Sequence, residues 1–206
     1  MIAHALKIIV EELNQHFNNI QPGNAEDTVI LGNIAALETD IDANIKNQLR
    51  NKVVATLVNL KEESSLKNTP HSRVNDSFRT MYFNPPVYVN LYVLFSVTTT
   101  SSYEDALTYL SRLVRFFQSK NIFTPSNSAA VTVMNGYDEL TDFKLIMELF
   151  SPNLEELNHM WGMLGGKQYP SVIYLMRLLE LKREDEVEGA GVIEEIESKY
   201  KVIAPS

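Results

Sequence analysis

The stretch PPVYVNLYVLFSVT, Pro85 to Thr98, restricts the architecture more than any other part of the chain. A strand turns successive side chains to opposite faces, so Val87, Val89, Leu91, Val93 and Phe95 fall on one side and Tyr88, Asn90, Tyr92 and Ser96 on the other. Burying a large apolar side chain is worth about 1.5–3 kcal/mol, so that first face must be covered. A core strand packed on one face needs strands beside it and helices over it.

The flanking segments supply both. Ile2, Leu6, Ile9, Leu13, Phe17 and Ile20 recur at helical steps and predict an amphipathic helix ended by Pro22-Gly23. A second helix is predicted over Ser101 to Lys120, with Ser101 and Glu104 spaced as a capping box and Leu107, Leu110, Leu113, Val114 and Phe117 as its stripe. Thr28 to Leu37 and Asn51 to Glu63 are β-branched and read as strands joined by a polar connection around Asp40 to Gln48. Ser64 to Asn84 is polar and irregular and reads as a long loop. Two more strands, AAVTVMN from Ala129 and DFKLIMELF from Asp142 to Phe150, form a hairpin through Gly136-Tyr137-Asp138. Pro170 to Leu181 is the last core strand.

Between the last two strands, Ser151-Pro152-Asn153 opens a short helix, Pro152 being tolerated in a first turn, with Leu154, Leu157, Trp161 and Leu164 on one face. Gly165 and Gly166 end it. The expected fold is α/β of the α+β type: a mixed, mostly antiparallel sheet flanked by helices. At 206 residues the chain has room for one full core. Residues 1–181 form that domain, and residues 182–206 form a charged break, Lys182 to Gly191, and a C-terminal extension. In the extension, alternation puts Val192, Ile196, Tyr200 and Val202 on one face, while Val192, Ile196, Tyr200 and Ile203 also fit a helix. The β-branched residues favour a strand, either paired within its own domain or exchanged with a neighbour.

A net charge of −8 without Lys/Arg clusters argues against a nucleic-acid groove. The absence of cysteine excludes disulfides, thiolate metal sites and Cys nucleophiles. Glu11 and Glu12 interrupt the apolar N-terminal stretch before it could serve as a signal core or membrane span. The expectation is therefore a chain made in the cytoplasm, without membrane contact.

The segment ELNHMWGMLGGKQYPSVIY, Glu156 to Tyr174, concentrates the residue types that acid/base and phosphate chemistry use. Gly162 to Gln168 fails the phosphate-loop pattern in spacing and in its missing hydroxyl, and a helix C-terminus repels anions. His4, His16, His71 and His159 are scattered, with no pair at helical spacing that could grip a metal. Glu155 and Glu156 fit the first turn of a helix, where negative charge is favourable, better than a catalytic pair. No nucleophile elbow occurs. Neither a cofactor nor a reaction is expected. Asn158, Trp161, Gly165, Gly166, Lys167 and Pro170 read as a structural turn or interface, with Trp161 as anchor.

Taken together and in order, VILGNIAALE, NPPVYVNLYVLFS, YEDALTYLSRLVRFFQSKNIFT and LEELNHMWGMLGGKQYPSVIYLMRLL resemble the tail-terminator, or cap, proteins of contractile injection systems. The likeness is to the extracellular particles related to the antifeeding prophage and virulence-cassette machines, and it spans most of residues 1–181. It implies a subunit of a ring, usually hexameric, that seats on the far end of the inner tube and sheath and stops their growth. The implied partners are further copies of itself, the tube protein and the sheath protein, in a released or membrane-anchored particle. A connector or baseplate adaptor ring of the same particle, and a small enzyme whose site forms only on folding, are the alternatives.

Overall fold

The computed structural model describes residues 1–22, 27–38, 43–63, 72–74, 80–83, 87–99, 102–128, 140, 142–181 and 186–190. The chain opens with α1 (Ile2–Ile20), which buries Leu6, Ile9, Leu13 and Phe17 as its periodicity requires. Ile20, the last residue of the predicted stripe, is exposed. Asn14 on this helix closes the outer side of β1 (Val29–Leu31): its amide donates to the Val29 carbonyl at 2.8 Å and its Oδ1 accepts from the Val29 N–H at 2.7 Å.

The predicted strand over Thr28 to Leu37 lasts only those three residues. Thr56 ends it: its hydroxyl donates to the Gly32 carbonyl at 2.7 Å and accepts from the Ile34 N–H at 3.1 Å. The chain is drawn off the sheet into a short 3-10 helix, Ile34–Leu37, capped by the Asn33 side chain. The expected polar connection around Asp40 to Gln48 contains a helix, α2 (Ala43–Leu49), whose last residue is buried. β2 (Val53–Glu62) follows as predicted.

Within the expected loop Ser64 to Asn84 lie β3 (Ser72–Val74) and β4 (Thr80–Phe83), an antiparallel pair. β5 (Val87–Val97) is the long strand anticipated from alternation. Its packing differs from the expected single buried face. Val89, Leu91, Val93 and Phe95 are buried as expected, but Leu94 and Ser96 on the opposite face are buried too, and Val87 is exposed.

α3 (Tyr103–Ser119) is capped by Ser102, whose hydroxyl accepts from the Asp105 N–H, and not by the predicted Ser101/Glu104 box. Its buried face is Ala106, Leu113, Phe116 and Phe117, so the true stripe is rotated from the predicted one and leaves Leu107 exposed. β6 (Ile122–Phe123) pairs with β7 (Leu145–Phe150). The strand read at AAVTVMN and the hairpin turn after it lie outside the described residues. α4 (Leu154–Met163) leads into β8 (Ser171–Leu181). The stretch read as a charged break contains a further strand, β9 (Glu186–Ala190), which pairs antiparallel with β4.

The main sheet runs β1-β2-β5-β8-β7-β6, and β3-β4-β9 form a second, three-stranded sheet. Among the described residues, only the β1/β2 pair of the main sheet is parallel. The mixed, mostly antiparallel architecture expected from sequence is therefore the one found. Two packed faces explain the burial of β5. On one, α1 and α3 cover Leu91, Val93, Phe95, Tyr174 and Met176, with the Phe117 and Tyr174 rings 4.4 Å apart. On the other, the 3-10 helix, the end of α2 and α4 cover Val54, Leu94 and Ile173.

Candidate functional site

The segment from Asn153 to Pro170 is built outward from a helix cap. Asn153 Oδ1 accepts from the Glu156 N–H at 2.8 Å, and Glu156 Oε2 accepts from the Asn153 N–H at 2.9 Å, a reciprocal box that fixes the start of α4. Pro152 therefore precedes the helix and is not in its first turn. Glu156 is occupied as a cap. Glu155 and His159 face solvent 3.9 Å apart.

The apolar face of α4 is narrower than predicted. Trp161 is 4% exposed and packs with Met160 against the second face of the sheet, whereas Leu154 is 85% exposed. The indole N–H of Trp161 has no acceptor among the described residues. Apolar packing against the second face of the sheet surrounds this side chain. Asn158 lies on the exposed side of the helix, away from the turn.

At the helix end the Gly166 N–H donates to the Trp161 carbonyl at 2.7 Å, and Leu164 N–H reaches the Met160 and Trp161 carbonyls at 3.2 Å. Gly165 and Gly166 have φ of 108° and 80°, conformations that side chains with a Cβ rarely adopt. The reversal anticipated at this pair is thus present, at a helix C-terminus whose dipole disfavours anions. Pro170 closes it: its carbonyl accepts from the Val97 N–H at 2.9 Å and starts the β5/β8 ladder.

Glu38, which sequence reading did not single out, completes the turn. Its carboxylate accepts from the Tyr169 hydroxyl at 2.8 Å and lies 3.4 Å from the Lys167 ammonium, which stands 5.6 Å from the Tyr169 ring centre. The Tyr169 hydrogen bond, assisted by Lys167, holds the Glu38 carboxyl below its ordinary pKa. Burial first, and Glu38 second, push the Tyr169 phenol up. The backbone of Gly165 passes so close that an added Cβ would lie 3.1 Å from Glu38 Cβ.

Trp161, Gly165, Gly166, Lys167 and Pro170 thus meet in one connection, tied to the end of the 3-10 helix by Glu38. Val192, Ile196, Tyr200 and Val202 lie outside the described residues. Among the described residues no three His, Asp or Glu side chains converge as metal ligands, and no helix is long and apolar enough to cross a membrane. The arrangement is a braced turn on a sheet, suited to holding a surface in shape.

No curated protein matches the chain. Solved structures do. The sheath/tube terminator of an extracellular contractile injection system, PVC, in its extended state, is similar at 12% identity and a TM-score of 0.51, over 95% of this chain and 64% of that one. The tube-terminating cap of the anti-feeding prophage is similar at 14% identity and a TM-score of 0.55, over 93% of this chain and 60% of that one. At these identities the likeness is one of fold, and the chain spans less than two thirds of the length of either. The family model of the Pvc16 N-terminal domain matches residues 4–195, nearly the whole chain, and the chain belongs to that family.

Proposed function

We propose that this chain is the terminator subunit of a contractile injection system. Copies form a head-to-tail ring, hexameric as in the resemblance, that seats on the last layer of the inner tube and sheath and stops their growth. The carrying observation is the family match over residues 4–195, supported by a fold shared with two structures named as a sheath/tube terminator and a tube-terminating cap. The braced turn around Trp161 and Gly165 agrees with this reading, because it gives the surface a fixed shape. The reading assigns no reaction, cofactor, nucleic acid or membrane contact. The C-terminal segment carrying Val192, Ile196, Tyr200 and Val202 serves as an exchanged strand between ring neighbours or toward the sheath.

The test is particle assembly without the protein. Tubes and sheaths of uncontrolled length, with altered ends, are expected, and restoring the chain should restore uniform length. Normal tube length and unaltered ends in its absence would overturn the proposal. Deleting residues 191–206, which spares β9, is expected to leave a folded subunit that attaches weakly. A truncated chain that does not fold would place that segment in the core instead.

A further inference from the structure

Each edge of the six-stranded sheet is only partly closed. β1 pairs with β2 at Val53, Val54 and Ala55, but β2 runs on to Glu62. At the other edge β6 pairs with Leu145 and Ile146 of β7, and the Met147 N–H donates to the Asn121 carbonyl at 2.8 Å; β7 continues to Phe150. Among the described residues no strand pairs with the outer side of β2 beyond Ala55 or of β7 beyond Met147.

The two open stretches match each other in hydrogen-bonding direction, in level and in polarity. On β2, Val53 donates outward to the Thr28 carbonyl and the Ala55 carbonyl accepts from Gly32, so by two-residue alternation Leu57 also presents its N–H and C=O outward. On β7, Met147 donates outward, and alternation places Leu149 likewise. Register carries Leu149 to Tyr174, Tyr174 to Val93, and Val93 to Leu57, so the two outward-facing leucines are the ends of one row across the sheet. Three successive antiparallel pairings separate β2 from β7. A second copy set beside the first in the same orientation therefore brings its β2 antiparallel to the first copy's β7.

The side chains of that row agree. Val93 and Tyr174 in its middle are buried, whereas Leu57 at one end is 37% exposed and Leu149 at the other 55%. Beside Leu57, where β1 has left the edge, lies a groove of about 700 Å³ lined by Ile2, Leu6, Leu31, Val58 and Met163. The neighbouring parts of this edge are already occupied: Asn14 takes both backbone groups of Val29, and the Asn59 side chain accepts from the Leu60 N–H at 2.9 Å.

We propose that copies of this chain join through these edges, β7 of one against β2 of the next. The Leu149 and Leu57 backbones exchange N–H to C=O hydrogen bonds, and the Leu149 side chain enters the groove beside Leu57. The two surfaces differ, so the contact is head to tail. Because they lie on one row it needs no offset along the strands, and the rotation between neighbours, which includes the twist of the sheet, decides closure into a ring. This rests on the ring reading above and names its joint.

The chain contains no cysteine, so the variant Leu57→Cys/Leu149→Cys carries only the pair under test. Within one subunit the two positions are three inter-strand spacings apart, about 14 Å, beyond the reach of a disulfide. Across the proposed joint their Cα atoms would be about 5.5 Å apart, within reach. Oxidation is expected to give a ladder of linked multimers ending at the ring, with neither single-Cys variant passing beyond a dimer. Leu149→Pro removes an outward N–H that has no hydrogen-bond partner among the described residues, and should keep the wild-type urea midpoint while weakening association at least about tenfold. Should it lower the midpoint, the cysteine pair alone decides. A wild-type protein that assembles while the cysteine pair stays unlinked overturns the edge joint and leaves the ring standing. A wild-type protein that stays monomeric, together with an unlinked pair, overturns both.

Discussion

Replacing Gly165 by Ala should cost about 2–4 kcal/mol, through two separable causes. At φ of 108° the backbone is one that L-residues rarely adopt, and such strain costs about 1–3 kcal/mol. The new methyl would also sit 3.1 Å from Glu38 Cβ, forcing Glu38 aside and weakening its bond with the Tyr169 hydroxyl, worth about 0.5–1.5 kcal/mol. Gly166→Ala is the internal control. Its φ is 80° but nothing lies within 4 Å of an added Cβ, so only strain remains, about 1–2 kcal/mol. Urea denaturation read by the fluorescence of Trp161 gives both numbers. For a chain of this size each kcal/mol is about 2–4 °C in Tm, so thermal melts should separate the two variants. Gly165→Val, β-branched, should cost at least as much as the alanine. Equal costs at Gly165 and Gly166, or a loss below about 0.5 kcal/mol at Gly165, would refute the account of the turn.

Three further outcomes are expected. Trp161→Ala should destabilise by about 3–5 kcal/mol, because it empties a buried site between α4 and the sheet, and calorimetry would show the loss. Lys120→Met should cost about 2 kcal/mol in urea, since it strips a 2.6 Å ion pair from the nearly buried Glu12 carboxylate; a double-mutant cycle with Glu12→Gln should recover part of it. Glu38→Gln should be less stable than wild type at neutral pH. The folded pKa of Glu38 lies below its unfolded value, so its contribution is fully present above the unfolded value of about 4.3 and is lost as pH falls through the folded pKa; the two proteins should converge in urea midpoint as the solution is acidified below that range.

How far the sequence carries depends on whether each element's cause is local. α1 and β5 announce themselves, since Ile2 to Ile20 keeps helical spacing and Val87 to Val97 alternates except at Leu94. The glycine reversal is equally local, a Gly-Gly pair after a capped helix. The end of β1 is not. The Thr56 hydroxyl, 22 residues beyond Ile34, imposes it, and within Thr28 to Leu37 only the Gly32-Asn33 pair marks the break. β3 and β4 leave no such mark, because Ser64 to Asn84 lacks alternation; their cause is backbone pairing, including that of β4 with β9 more than a hundred residues later. For α3, the register of the buried face was set by the aromatic cluster of Phe95, Phe116, Phe117 and Tyr174, which selected Ala106 over Leu107. Glu38 had no signal at all, its partner Tyr169 being 131 residues distant.

Turn and edges lie in different parts of the molecule, and this makes the functional argument divisible. The turn at Gly165 ties α4 and β8 to the 3-10 helix, inside one subunit, so its variants should change folding free energy first. Leu149 sits at the far edge of the sheet with an outward backbone and an exposed side chain, so its substitution removes little that the subunit itself uses. Assembly lost at unchanged stability therefore points to the edge, and stability lost with assembly preserved among the folded molecules points to the turn. A Gly165→Ala protein of wild-type stability that no longer associates would reverse the assignment, making the turn itself the surface that meets the next subunit or the end of the tube.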